Sequence, residues 1–155
     1  LNRIRYLARG CGCRWIVLDH LSIVVSGLEN IDERRTIDHT MTSLRSLVEE
    51  LNIGVILVSH LKRPDGNKGH EEGVSTSLSQ LRGSHAIAQL ADIVVGIERN
   101  IQDKDTANFV TVRVLKNRFT GDCGICSVLT YDKESGRLQD SDNPFLGDNN
   151  GTTTF

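Results

Sequence analysis

Residues 55–83 read VILVSH, then LKRPDGNKGHEEG, then VSTSLSQLRG. A short apolar strand ends in a polar pair, Ser59 and His60. In parallel α/β sheets, ligands gather outside the carboxyl ends of the strands. A histidine placed there can hydrogen-bond a phosphate oxygen. The loop that follows carries Lys62, Arg63 and Lys68, enough positive charge to hold a polyanion. The stretch closes on a helical segment ending in Arg82 and Gly83. One segment could therefore feel a phosphate at one end and a polyanion at the other.

Working outward, the pattern is strand, helix, strand. Residues 15–18 are apolar and end at Asp19, the form of a buried parallel strand. Asp32 and Glu33 place acids in the first turn of a helix, where its dipole favours them. Ile37, Met41, Leu44, Leu47, Val48 and Leu51 recur at three and four, giving one apolar stripe. Asn52 and Gly54 end that helix, and residues 55–58 form the next strand. A strand–helix–strand unit implies a parallel pair. Residues 61–77 read as a long polar loop, and loops of that length are usually functional or disordered. Residues 78–90 read as one helix, weakened by Gly83. Strands follow at 93–97, 109–115 and 125–131, with a short return strand from Arg137. Residues 1–9 read as the end of a helix. With no Met at the start, part of a larger domain is expected upstream. The fold class is α/β, with a mainly parallel sheet flanked by helices and antiparallel strands towards the end. Residues 1–138 form the folded part, and 139–155 a flexible polar tail.

Composition narrows the function classes. The chain has 155 residues, enough for one core. It is 38% hydrophobic and 25% charged, with a formal net charge of −2, so nucleic-acid binding must come from a local patch. There is no apolar run long enough for a membrane span and no apolar signal core. Four cysteines without a secretory signal suit a reducing, cytoplasmic setting. They come as Cys11–Cys13 and Cys123–Cys126. Such pairs are either a zinc site or small apolar residues beside strands.

Three constellations carry chemistry. Ile16-Val-Leu-Asp19 has the form of a Walker B strand, whose acid holds the waters around a phosphate-bound Mg²⁺. Taken alone, Asp19 could equally cap the next turn. His60 lies at the end of the next strand and is otherwise a loop histidine. Lys116-Asn-Arg118-Phe119-Thr-Gly puts a long basic side chain on a turn. Such a group can reach a neighbouring subunit's nucleotide as an arginine finger, or simply be a solvated basic turn.

The order of these blocks resembles a known family. LDHLSIVVS with DERR, VSHLKRPD with KGHEEG, LRGSHAIAQLADIVVGIERN and LKNRFTGDCG occur in sequence. Together they resemble the C-terminal half of the RecA-like motor of ring-shaped replicative helicases of superfamily four. The likeness is strongest to podovirus-type phage primase–helicases and more distant to mitochondrial Twinkle and bacterial DnaB. It covers about residues 7–138. The resemblance implies a RecA-like P-loop NTPase core, Mg²⁺, and ATP or dTTP as substrate. It implies that Asp19 places the metal and that His60 senses the γ-phosphate. Lys62, Arg63, Lys68, Arg82 and Gly83 would face single-stranded DNA, and Gln89 would link the nucleotide to the DNA loops. Arg118 would act in trans, and Arg99 and Tyr131 would sandwich the base. The implied assembly is a hexameric ring in the cytoplasm of a bacterial host. The tail ending in Phe155 would reach a replicative DNA polymerase.

The sequence departs from the family's pattern in one respect. It holds no G-x-x-x-x-G-K-[ST] loop, which supplies the backbone donors and lysine that cradle phosphates. No residue matches the family's catalytic glutamate either. Taken alone, residues 1–155 are therefore expected not to turn over nucleotide at helicase rates. Two other readings remain at this stage. One is a RecA-family recombinase or ATPase fragment; the other is a non-catalytic DNA-binding module completed by a partner chain.

Overall fold

The computed structural model describes residues 1–25, 32–82 and 85–141. They fall into two compact units. The first takes in Leu1–Arg63 and Ser77–Asp92, the second Pro64–Thr76 and the chain from Ile93 onward.

The first unit is built on two strands, β1 (Trp15–Leu18) and β2 (Gly54–Leu57), paired in parallel with Leu18 opposite Leu57. Short helices α1 (Asn2–Arg5) and α2 (Leu21–Val25) and a single π-type turn at Tyr6–Gly10 lie around the long helix α3 (Glu33–Leu51). The start of α3 follows from its sequence. The Asp32 carboxylate caps it, accepting the Arg34 N–H at 3.1 Å. Asn52 takes the left-handed conformation that ends it. The apolar stripe is buried as its spacing demands: Ile37, Met41, Leu44 and Leu47 are all nearly inaccessible. Each such side chain contributes about 1.5–3 kcal/mol. Helix α4 (His85–Leu90) packs on α3 and buries Ile87.

The second unit is an antiparallel meander of β3 (Ile93–Glu98), β4 (Phe109–Asn117), β5 (Gly124–Tyr131) and β6 (Leu138–Asp140). Among the described residues, its buried apolar side chains are Val110 and Val128, and Thr76 is buried as well. Bulges interrupt the ladders at Val94/Val95 and at Val112/Arg113.

Several expectations need correcting. The parallel part is one strand pair and the antiparallel part is the larger, so within the described residues the sheet is not mainly parallel. Nor are β1 and β2 buried on both faces. Ile16 is buried, but Trp15, Val17 and Ile56 are exposed, because among the described residues only one face of the pair is covered. Gly54 does not stop the helix but opens β2. The Trp15 indole lies over it so closely that an added Cβ would collide with the ring.

The single helix expected over residues 78–90 is broken. Leu78–Gln80 is one 3₁₀ turn, and Leu81 turns extended to bridge with Leu61. A tertiary hydrogen-bonding partner overrides local helical preference there. The loop over 61–77 is likewise partly organised, with a 3₁₀ turn at His70–Glu72. Gln139 and Asp140, expected in the tail, pair with Thr130 and Leu129 as a strand. The tail from residue 142 to Phe155 lies outside the described residues.

Candidate functional site

The parallel register sets the site in the first unit. Leu18 and Leu57 are partners, so Asp19 and the Val58-Ser59-His60 run emerge side by side from the carboxyl ends of β1 and β2. Two backbone bonds hold the ends together: Val58 N–H donates to the Leu18 carbonyl and Leu21 N–H to the Val58 carbonyl, each at 3.0 Å. Asp19 and His60 are both exposed. Among the described residues, no hydrogen bond or ion pair engages the Asp19 carboxylate. His20, the residue after Asp19, meets the His60 ring edge-on with centroids 4.2 Å apart.

From His60 the backbone runs into a short two-stranded zipper. Arg82 N–H donates to the His60 carbonyl at 3.1 Å, Leu61 bridges Leu81, and Lys62 N–H donates to the Gln80 carbonyl at 2.7 Å. The basic residues Lys62, Arg63 and Arg82 are exposed along it. The structure thus ties the histidine to both basic segments through main-chain bonds. Gly83 lies outside the described residues. Gln89 is exposed on α4. It lines an open groove of about 460 Å³ with Arg34, Asp38, Thr42 and His85, which neither Asp19 nor His60 lines.

A lone exposed carboxylate suits Mg²⁺ held through waters and phosphate oxygens rather than in a protein cage. Among the described residues, no group of three or more His, Cys, Asp or Glu could hold a metal. None of the four cysteines forms a disulfide; Cys11, Cys123 and Cys126 are exposed and Cys13 half-exposed.

The second unit carries the other candidates. Arg118 is exposed on the turn after β4. Asn117 builds that turn: its side-chain oxygen accepts the N–H groups of Phe119 at 3.0 Å and Thr120 at 3.4 Å, and its carbonyl accepts that of Gly121 at 2.9 Å. Lys68 is exposed in the loop before the His70–Glu72 turn. Arg99 and Tyr131 do come together, but as a closed pair. The guanidinium carbon lies 4.5 Å from the ring centroid, and Arg99 Nε donates to the Ala107 carbonyl at 2.6 Å. The pair occupies the space between them, so a base can enter only if Arg99 swings off the ring.

Sequence reasoning missed a half-buried cluster in this unit. Glu98 accepts the N–H and the hydroxyl of Thr76, each at 2.7 Å, and two guanidinium bonds from Arg113 at 2.8 and 3.2 Å. Burial pushes the Glu98 carboxyl up, but the bonds from Arg113 and Thr76 outweigh it and hold it below the usual carboxylate range. An added Cβ at Gly96 would collide with the Thr76 hydroxyl. A glycine inside a strand was the available signal for that close approach.

Comparison with known proteins gives the family and the fold. The family model of the DnaB-like helicase C terminal domain matches residues 1–140. The chain belongs to that family. The DNA helicase/primase of Enterobacteria phage T3 is 46% identical over 141 residues, covering 91% of this chain and 25% of that protein. A probable plasmid replicative DNA helicase of Chlamydia muridarum (strain MoPn / Nigg) is 32% identical over 137 residues, 88% of this chain and 28% of its own length. Among solved structures, an ATPase domain superposes with a TM-score of 0.72 at 26% identity. That match covers 91% of this chain and 50% of the other. The RecA-like fold is therefore shown. This member of the DnaB-like family spans about a quarter of the length of the curated relatives named here. No helix among the described residues is long and apolar enough to cross a membrane.

Proposed function

We propose that this chain is part of a replicative DNA helicase that couples NTP hydrolysis to movement along single-stranded DNA and to duplex unwinding. One observation carries the reading. The sheet register sets Asp19 beside the His60 strand end, and the His60 backbone is hydrogen-bonded directly into the strip bearing Lys62 and Arg82. A phosphate lost at one end of that strip changes the hydrogen bonding of a residue joined to the grip at the other.

In this reading Asp19 holds the waters of a Mg²⁺ ion, which when bound offsets charge on the phosphates of ATP or dTTP. His60 donates to the terminal phosphate. Lys62, Arg63, Lys68, Arg82 and Gly83 hold the DNA backbone without regard to base, and Gln89 links nucleotide to grip. Arg118 crosses to the nucleotide of the next subunit of a hexameric ring. Arg99 opens from Tyr131 to admit the base. Residues 1–155 contain no phosphate-cradling loop, so turnover belongs to the protein in which such a loop is present. The tail ending in Phe155 is assigned to contact with a replicative polymerase, and the setting to the cytoplasm of a bacterial host.

The test uses the intact protein that carries this segment. His60→Ala should leave single-stranded DNA binding largely in place while removing most of the DNA stimulation of NTP turnover and nearly all strand displacement. Unwinding at the unsubstituted rate by His60→Ala would refute the sensor role.

A further inference from the structure

His20 is a ring at the site that none of the roles above uses. It follows Asp19 and is half-buried, while His60 is exposed at the strand end. The two rings meet edge-on, with planes 67° apart. His20 Nδ1 is buried and has no hydrogen-bond partner among the described residues. Buried polar atoms are normally paired, so no hydrogen bond through Nδ1 to the described residues fixes this ring, and the contact it does make is with the His60 ring. The backbone bonds from Val58 to Leu18 and from Leu21 to Val58 anchor the chain just before and just after His20. The sheet therefore sets where His20 sits, and His20 walls one side of the His60 ring. An exposed side chain otherwise samples several staggered rotamers. An edge-on ring contact favours one arrangement by about two- to tenfold.

We propose that His20 is a positioning residue for His60: its ring holds the His60 imidazole aimed past the ends of β1 and β2, ready for phosphate. The inference rests on the reading of His60 as the phosphate sensor. It requires flatness and bulk at position 20, not an imidazole nitrogen. Replacing His20 with another flat ring should therefore keep the function, and replacing it with a flexible aliphatic chain should lose it.

The experiment measures DNA-stimulated NTP turnover, nucleotide KM and thermal unfolding in the intact protein. The variants are His20→Phe, His20→Leu, His60→Ala and His20→Leu/His60→Ala. His20→Phe should keep turnover within about twofold and unfold no earlier than the unsubstituted protein, because it removes a buried unpaired nitrogen. His20→Leu should lower DNA-stimulated kcat about tenfold with KM changed less than about twofold, and should add nothing in the His60→Ala background. If His60→Ala is impaired but His20→Leu multiplies that loss, the two residues act separately and the positioning role is wrong while the sensor reading stands. If His20→Phe is as impaired as His20→Leu, a nitrogen matters and the proposal is likewise overturned. If His60→Ala is unimpaired, the sensor reading and this inference fall together. Should His20→Leu not fold, His20→Phe against His60→Ala still decides, since loss of turnover in a stable His20→Phe protein refutes the wall.

Discussion

Asp19 and Glu98 are both acids at the carboxyl end of a strand, one in each unit, and they are treated in opposite ways. Asp19 stands exposed, with no partner among the described residues. Glu98 has a side chain only 11% exposed and accepts four hydrogen bonds from Thr76 and Arg113. A carboxylate with both oxygens engaged by the protein holds structure together. One left open to water beside a histidine keeps its capacity for a ligand. The difference separates the acid that fastens the chain from the acid available for chemistry, although both follow an apolar run in the sequence.

The comparison can be broken first at its exposed side. Arg118 sits on a turn in which the Asn117 side chain accepts the N–H groups of Phe119 and Thr120. Arg118→Ala in the intact protein should cut NTP turnover by about 10³-fold or more with nucleotide binding little changed. Mixing it with unsubstituted protein should depress the total rate below the proportional average. Turnover near the starting level would remove the finger from the mechanism.

The buried side should behave in the reverse way. Glu98→Ala strands Arg113 and should cost about 3 kcal/mol of stability, read as an earlier unfolding midpoint in denaturant. Loss of turnover in a fully stable Glu98→Ala protein would make this cluster part of the chemistry and dissolve the contrast. The pH dependence sharpens it. The Glu98 carboxyl is held low in the folded chain. Its stabilisation is present in full above the value of an unfolded glutamate, about 4.3, and is lost as pH falls through the lower folded value. Glu98→Gln should therefore flatten the fall in unfolding midpoint below about pH 4.3. An unchanged acid limb would show that Glu98 is not its source.

The smallest effects belong to single basic residues. Lys62→Ala, Arg63→Ala and Lys68→Ala should each reduce the salt slope of single-stranded DNA binding by about 0.7 in log–log form. They should do so equally for any base composition. Affinity that does not change between low and moderate salt would take the loop out of the DNA site.

Much of the fold was legible along the chain. The three–four spacing from Ile37 to Leu47 specified α3, Asp32 and Asn52 marked its ends, and the strands of the meander fell close to their expected residues. The segment 78–90 was misread because helical spacing is a local signal, whereas Leu81 is claimed by a bridge to the distant Leu61. The site was legible only as a set of side-chain types at strand ends. Arg99 and Tyr131 could be paired by resemblance, but that one lies on the other had to be seen.

Sequence alone determined what each local stretch could do: which face of a helix is apolar, where a carboxylate or an imidazole follows a strand, where positive charge collects. Those properties depend on neighbours three or four residues away, and periodicity records them. Tertiary structure alone decided which of these groups are engaged. It placed Glu98 under Thr76 and Arg113, set His20 edge-on against His60, and bonded the His60 strip to that of Arg82. Each of these contacts joins residues far apart along the chain, and hydrogen bonds act only over about 3 Å, so no local pattern encodes them.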